Sequence, residues 1–135
     1  MAPQAINSLQ EFRKIIDGPK PAVIDFWATW CGPCKMIGPV FKKLSEKPEF
    51  ASVDFYTVDG DEQPDIMDEL QVSSMPTFIA FKDGNKIGTS LGAIPKNLLE
   101  LIDKAVKAAA AGAATEDSAP AETNTEAPAT VPATA

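Results

Sequence analysis

Two cysteines separated by two residues constrain this chain more than any other feature of its sequence. Cys31 and Cys34 are its only cysteines, and they lie in the run WCGPCK. A strand-like apolar run, residues 22–28, precedes them, and a helix-like pattern follows. In this context a C-x-x-C pair indicates a redox dithiol rather than two metal ligands, because the thiols can close a small disulfide ring and each can stabilise the other's thiolate.

Composition and charge exclude several classes of function. The chain has 135 residues, 44% of them hydrophobic, which suits one domain with a single core. It has no histidine, so a Ser-His or Cys-His catalytic pair is impossible. The net charge of -7, without a cluster of basic residues, argues against a nucleic-acid partner. No apolar run approaches the roughly 18 residues of a membrane span, so no membrane partner is expected.

The two ends of the chain bear on its location and domain organisation. The start, MAPQA, lacks the features of a secretory signal, and two cysteines are few for a secreted scaffold, which together predict a reducing, cytoplasmic location. Residues 1–110 are predicted to form the folded domain. Residues 111–135, rich in Ala, Pro, Thr and Glu, carry acidic but no basic side chains and are predicted to form a disordered tail, because they cannot bury enough apolar surface.

Helical and strand patterns alternate before residue 111. Ser8 and Glu11 have the spacing of a capping box that opens a helix, and the apolar run 22–28 predicts a buried strand. Further elements are predicted as a helix at Gly32–Lys47, a strand at 53–58, a helix at 63–70, a hairpin of 77–81 and 86–91 around Asp83-Gly84-Asn85, and a last helix from Pro95. The order β-α-β-α-β-α-β-β-α predicts an α/β fold whose central mixed sheet has helices on both faces.

Four short motifs are spread along the chain. They are DFWAxW at residues 25–30, CGPCK at 31–35, Met75-Pro76-Thr77 and Gly92-Ala93. With these motifs the chain resembles the thioredoxin family over about residues 3–108. The resemblance implies the thioredoxin fold, with a central mixed five-stranded β-sheet flanked by four α-helices.

The resemblance also implies an activity and its partners. The chain is expected to be a general protein-disulfide reductase, since Gly-Pro between the cysteines is typical of the family's reductants. It is expected to need no cofactor besides its own redox-active disulfide, and to receive electrons from NADPH through thioredoxin reductase. Its expected clients are disulfide-containing proteins such as peroxiredoxins and reductases, and a monomer is expected.

The two cysteines are predicted to have different roles. Cys31 should lie at the start of the Gly32–Lys47 helix, where unpaired N–H groups and the helix dipole favour an anion. It is therefore the predicted nucleophile, which forms a mixed disulfide with the client. Cys34, one turn further and expected to be less exposed, is the predicted resolving thiol. Gly32 and Pro33 are expected to tune this motif, and Pro33 suits the first helical turn because its missing N–H costs no helical hydrogen bond.

Asp25 is the predicted acid/base group. A carboxylate within a buried strand is costly to ionise, so it should hold a proton and exchange it with Cys34. The alternative is that this end of the strand is wet and Asp25 is an ordinary surface acid. Many family members place a lysine near this acid, at positions that here correspond to Phe55 and Gly38. The lack of such a lysine predicts an unusually high pKa for Asp25.

A substrate-docking patch is implied by the resemblance. Pro76 is expected to be cis, which would bring the backbone of Met75 beside Cys31, where an extended client segment could pair with it. Trp30, Gly92, Ala93 and Ile94 are expected to complete the patch. The residues alone leave open an ordinary trans proline and a Trp30 that packs in the core.

Other kinds of protein remain as alternatives. A zinc site would need two copies of the chain, because one copy offers two sulfurs and no imidazole. A non-catalytic thioredoxin-fold module that serves as a binding or chaperone platform is the main alternative, since fold does not dictate function. A glutathione-linked glutaredoxin is disfavoured, because the aromatic residue usual in its active site is absent.

Overall fold

The computed structural model describes the backbone of residues 3–115 and the side chains as far as residue 111. The elements in chain order are β1 (Gln4–Ala5), α1 (Leu9–Ile16), β2 (Ala22–Trp27), α2 (Gly32–Ser45), a 3-10 turn (Pro48–Phe50), β3 (Asp54–Asp59), α3 (Pro64–Leu70), β4 (Thr77–Lys82), β5 (Asn85–Leu91) and α4 (Pro95–Thr115). No helix within this range is long and apolar enough to cross a membrane.

The five strands form one mixed sheet in the order β1-β3-β2-β4-β5. β3 pairs in parallel with β1 and β2, whereas β4 pairs antiparallel with both β2 and β5. The central position of β2 explains why its sequence is almost continuously apolar, since both of its faces and both of its edges are covered. The predicted five-stranded mixed sheet with four α-helices is confirmed.

Two hydrophobic cores lie on opposite faces of this sheet. Successive residues of β2 point to opposite faces, so Val23 belongs to one core and Ile24 to the other. The first core contains Ile37 and Phe41 of α2 together with Leu98 and other residues of α4. The second core contains side chains of α1 and α3, namely Phe12, Ile66 and Met67. The helices therefore lie in pairs, α2 with α4 and α1 with α3.

Local signals in the sequence explain where several elements begin. The Ser8 hydroxyl accepts a hydrogen bond from the N–H of Glu11 at 3.0 Å, as a capping residue does. The Glu11 carboxylate accepts from the N–H of Asn7 at 2.8 Å, so the return bond of the predicted capping box goes one residue earlier. The β4–β5 turn consists of Asp83 and Gly84, with φ of 55° and 81°, which is the left-handed backbone of a two-residue hairpin.

α2 ends earlier than predicted, whereas no end was predicted for α4. α2 ends at Ser45, two residues before the predicted Lys47. α4 continues to Thr115, five residues beyond the proposed domain boundary at residue 110. The rest of the predicted tail, residues 116–135, lies outside the described residues.

Candidate active site

A disulfide joins Cys31 and Cys34 at the start of α2, with the two Cα atoms 5.3 Å apart. Cys31 is the capping residue of this helix, and its sulfur accepts a hydrogen bond from the N–H of Cys34 at 3.1 Å. Gly32 and Pro33 form the first helical positions between them, where the N–H that Pro33 lacks would have no helical partner. The sulfur of Cys31 therefore lies at the start of α2, beside backbone N–H groups of the first turn that have no partner within the helix.

Both cysteines are buried in this disulfide form. Their exposed fractions are 3% for Cys31 and 4% for Cys34, so the expectation that Cys34 would be the less exposed of the two is wrong here. They pack with Ala28, and the partly buried Trp27 and Met75 contact the same cluster. A client disulfide would therefore reach the sulfur of Cys31 only at the surface formed by the neighbouring loops.

Asp25 lies in the middle of β2, between β3 and β4. It is 4% exposed, so the alternative of a wet surface acid is wrong. Its Oδ1 atom has no hydrogen-bond partner among the described residues. Burial raises the pKa of Asp25 to about 7, because the ionised carboxylate loses its hydration. Such a group can both accept and donate a proton near neutral pH.

A cavity of about 310 Å³ is bordered by both Asp25 and Cys34. Its lining includes Asp25, Trp27 and Cys34 from the interior, and Gly38 from the next turn of α2. A Cβ atom on Gly38 would meet no heavy atom within 4 Å, so this wall of the cavity has room for a side chain. The cavity gives the carboxyl and the sulfur one shared environment.

Neither of the two positions expected for a lysine places a charge near Asp25. Phe55 is 7% exposed and packs edge-on against Phe41, with ring centroids 5.6 Å apart. Gly38 has no side chain, and burial is the cause that raises the pKa of Asp25, although Lys35 borders the same cavity. The high pKa predicted from the missing lysine agrees with this environment.

The loop before β4 lies beside the disulfide. The Met75–Pro76 peptide bond is cis, as expected, and the Met75 carbonyl oxygen lies 3.6 Å from the Cys31 sulfur. The N–H of Gly92 donates to the Pro76 carbonyl at 2.9 Å, which fixes the end of β5 to this loop. Gly92 has φ of 85°, a conformation that a side chain would strain, and Ala93 follows it half-buried.

Trp30 is a surface residue of the site rather than part of the core. It is 66% exposed, and its indole N–H donates to a carboxylate oxygen of Asp61 at 3.3 Å. Sequence reasoning missed Asp61, although the DGD run at the end of β3 was a usable signal. The N–H of Asp61 donates to the side-chain carboxylate of Asp59 at 2.9 Å. This turn therefore fixes the position of Asp61, whose own carboxylate accepts the hydrogen bond from Trp30.

The predicted site residues therefore fall into two adjacent groups. One is the interior group of Cys31, Cys34 and Asp25. The other, the surface group, contains the exposed Trp30, the half-buried Met75, Gly92 and Ala93, and Pro76, which is itself buried beside Met75. Within the described part of the chain, no group of three or more His, Cys, Asp or Glu side chains could hold a metal ion. What this arrangement can perform is thiol–disulfide exchange.

Comparison with known proteins identifies clear relatives. Residues 4–104 match the thioredoxin family. The chain is 55% identical to thioredoxin from Malassezia sympodialis over 95 residues, which are 70% of this chain and 90% of the relative. It is 44% identical to thioredoxin-1 from Saccharomyces cerevisiae over 96 residues, covering 71% and 91% of the two chains.

Solved structures agree with these relatives. The crystal structure of the Malassezia sympodialis thioredoxin matches with a TM-score of 0.75 and 50% identity, covering 78% of this chain and 95% of that one. The oxidised form of mitochondrial thioredoxin 3 from Saccharomyces cerevisiae matches with a TM-score of 0.70 and 44% identity, covering 75% and 93%.

Proposed function

Because the chain belongs to the thioredoxin family of dithiol-disulfide oxidoreductases, we propose that it is a general reductase of protein disulfides in which Cys31 attacks, Cys34 resolves and Asp25 manages the proton. The observation that carries these roles is the position of the Cys31–Cys34 disulfide, at a helix start and beside a buried carboxyl with an unpaired oxygen. The structure corresponds to the oxidised product of the cycle.

The first step begins from the reduced chain. The Cys31 thiolate attacks one sulfur of the client disulfide, forming a Cys31–client disulfide and releasing the other client sulfur as a thiolate, which takes a proton. The N–H of Cys34 points at the Cys31 sulfur and can donate to the thiolate. The surface group of site residues receives the client chain, and Met75 offers its backbone for strand-like pairing.

The second step releases the client. Cys34 gives its proton to the Asp25 carboxylate through their shared cavity, and the resulting thiolate attacks the Cys31 sulfur. The bond between Cys31 and the client breaks, and the second client thiolate leaves with a proton. The Cys31–Cys34 disulfide forms, so two electrons have passed from this chain to the client.

Reduction of this disulfide completes the cycle. We propose that NADPH supplies the electrons through thioredoxin reductase and that the chain works as a cytoplasmic monomer. Its proposed clients are disulfide-containing proteins such as peroxiredoxins and reductases. The 44–55% identity to Malassezia and yeast thioredoxins supports this assignment of activity. A mitochondrial thioredoxin also occurs among the relatives, at 47% identity, so the compartment requires a direct test.

The discriminating assay is reduction of insulin with two sources of electrons. Turnover is expected with NADPH plus thioredoxin reductase and not with NADPH, glutathione reductase and glutathione. A folded chain that turns over with neither source would contradict the proposal and favour a binding module. Replacement of Cys34 by Ser should trap clients as mixed disulfides, whereas replacement of Cys31 by Ser should abolish trapping. Localisation of the tagged full chain by microscopy tests the compartment.

A further inference from the structure

The outer edge of β5 differs between its two halves. Among the described residues no strand pairs with this edge. In the first half, Lys86 is exposed and Ile87 forms a bulge, because Ala80 pairs with Gly88 while Phe81 pairs with Lys86. A bulge and an edge lysine are the usual features that prevent pairing with another chain. The second half, Gly88–Leu91, keeps a regular register with β4 and carries no charge.

A groove of about 420 Å³ runs along this second half, between β5 and α4. A Cβ atom on Gly88 would lie 2.8 Å from Leu101, which shows that Gly88, and by alternation Ser90, face α4. Ser90 lines the groove and is 6% exposed, and its hydroxyl has no hydrogen-bond partner among the described residues. The hydroxyl oxygen itself is covered, so the groove offers space beside Ser90 but no direct hydrogen bond to its side chain.

The opposite face of the same half is open and partly apolar. Thr89 and Leu91 alternate with Ser90 and are both exposed, Leu91 by 61%. A strand added alongside Gly88–Leu91 would place alternate side chains beside Leu91 on one face and over the Ser90 groove on the other.

This edge is continuous with the redox site. Leu91 is followed directly by Gly92, whose N–H donates to the Pro76 carbonyl. The preceding residue, Met75, has its carbonyl oxygen 3.6 Å from the Cys31 sulfur. A polypeptide held at the edge would therefore lie along a strand whose end is joined to the redox site through the Met75-Pro76 loop.

We propose that the Gly88–Leu91 edge of β5 docks an extended segment of the disulfide-bearing client as a sixth strand. The inference rests on the proposed function, since the client is the chain that Cys31 attacks. The segment carries an apolar side chain that packs on Leu91 and, on the other face, a small side chain that enters the groove beside Ser90. The edge adds affinity for clients whose disulfide is flanked by extended chain.

A pair of matched substrates tests this proposal. One is a six-residue peptide ring closed by a disulfide, and the other is the same ring with a ten-residue extension rich in Val and Thr. Dithiothreitol supplies the electrons, so thioredoxin reductase is not needed. The double variant Thr89→Lys/Leu91→Lys places two positive charges on this edge, which should hinder pairing with another strand. It is expected to raise KM for the extended substrate at least fivefold, with kcat unchanged and with unchanged kinetics on the bare ring.

The matched control is Leu99→Lys, which charges another exposed leucine, on α4. It should change KM for neither substrate. Equal KM of the wild-type chain and the double variant for the extended substrate would overturn the docking edge. A wild-type chain that reduced neither substrate would overturn the proposed function as well, so the two failures are distinct.

Hydrogen exchange gives a direct readout of strand addition. In a mixed disulfide between the Cys34→Ser variant and the extended peptide, the outward amides of Gly88–Leu91 should exchange at least tenfold more slowly than in the unmodified variant, while those of Asn85–Ile87 do not change. Unchanged exchange at both halves would overturn the proposal. A concentration-dependent dimer that the double variant abolishes in sedimentation would also overturn it, because the edge would then pair with a second copy.

Discussion

The backbone nitrogen of Cys34 lies 3.1 Å from the sulfur of Cys31, and its N–H donates a hydrogen bond to that sulfur. This contact follows from the position of Cys31 at the cap of α2, where a sulfur replaces the side-chain oxygen of a usual capping residue. Because the donor belongs to the helix backbone, we expect it to stay in place when the disulfide is reduced. The start of α2 therefore favours a negative sulfur.

Alkylation of the reduced chain should show this effect. The Cys34→Ser variant keeps the N–H at residue 34, and its Cys31 should reach half its maximal rate of reaction with iodoacetamide at a clearly lower pH than a free thiol, for which the midpoint is about pH 8.5. Glutathione measured in parallel is the control. If the alkylation rate of Cys31 had the same pH dependence as that of glutathione, the start of α2 would not stabilise the Cys31 thiolate.

Replacement of Asp25 by Asn should stabilise the oxidised chain at alkaline pH. Burial raises the pKa of Asp25 from 3.8 to about 7, so between these values the unfolded chain loses the proton that the folded chain retains. Stability from this group is thus full below about pH 4 and falls as the pH rises to about 7, by up to about 4 kcal/mol. Urea unfolding should find the variant a few kcal/mol more stable relative to wild type at pH 8 than at pH 4.

The exposed Glu49 offers a control for this comparison, because Glu49→Gln removes a carboxyl without altering the core. Its stability difference from wild type should be nearly the same at both pH values. If Asp25→Asn behaved in the same way, the carboxyl of Asp25 would ionise as readily in the folded chain as in the unfolded one.

Patterns between near neighbours in the sequence predicted much of this structure. The Ser8 cap, the Asp83-Gly84 turn and the start of α4 at Pro95 each depend on residues within a few positions, so propensity and hydrogen-bonding chemistry sufficed. Asp25 stood out for the same reason, as an acid within an apolar run. The cysteine pair with its flanking strand and helix located the centre of the site.

Contacts between distant residues were not accessible in this way. Asp61 bonds to Trp30, 31 positions earlier, and no local pattern links them. The cavity at Gly38 depends on how α2 packs over β2. The bulge at Ile87 depends on the register between two strands, which also determines which half of the β5 edge stays open. Each of these features is set by tertiary packing.

The two glycines near the site should respond oppositely to alanine. Gly92 has φ of 85°, so Gly92→Ala should cost about 1–2 kcal/mol and disturb the bond to Pro76, raising KM for protein clients. Gly38 lies inside α2 with open space at its Cβ position, so Gly38→Ala should stabilise the chain by up to about 1 kcal/mol. Thermal unfolding and insulin reduction measure both effects. If Gly92→Ala and Gly38→Ala changed the stability equally, the positive φ of Gly92 would not be the source of strain in its alanine variant.

Truncation should separate the folded domain from the predicted tail. The packing of α4 on the first core includes Ala105 and Val106, and the helix continues to Thr115. A chain that ends after residue 115 is therefore expected to keep its melting temperature and its insulin-reduction rate within about twofold of the full chain. A severalfold loss of activity would show that residues 116–135 take part in the reaction.

Gly38→Lys should lower the pKa of Asp25 and shift the pH dependence of client release. The new side chain has room at Gly38 and borders the same cavity as the carboxyl, and an ammonium group within 4–6 Å of a carboxylate lowers its pKa by about 1–3 units. The midpoint of the infrared titration of the Asp25 carbonyl should move from about 7 in the wild-type chain to about 4–6. The rate of client release, followed as decay of a preformed Cys31–client disulfide, should reach half its maximum at a correspondingly lower pH.

Gly38→Gln is the control for this prediction, since it fills the same space without a charge and should leave both midpoints near the wild-type values. If Lys and Gln at this position gave the same titration, the cavity would not couple the two sites electrostatically, and the lack of a cation at position 38 would not contribute to the high pKa of Asp25.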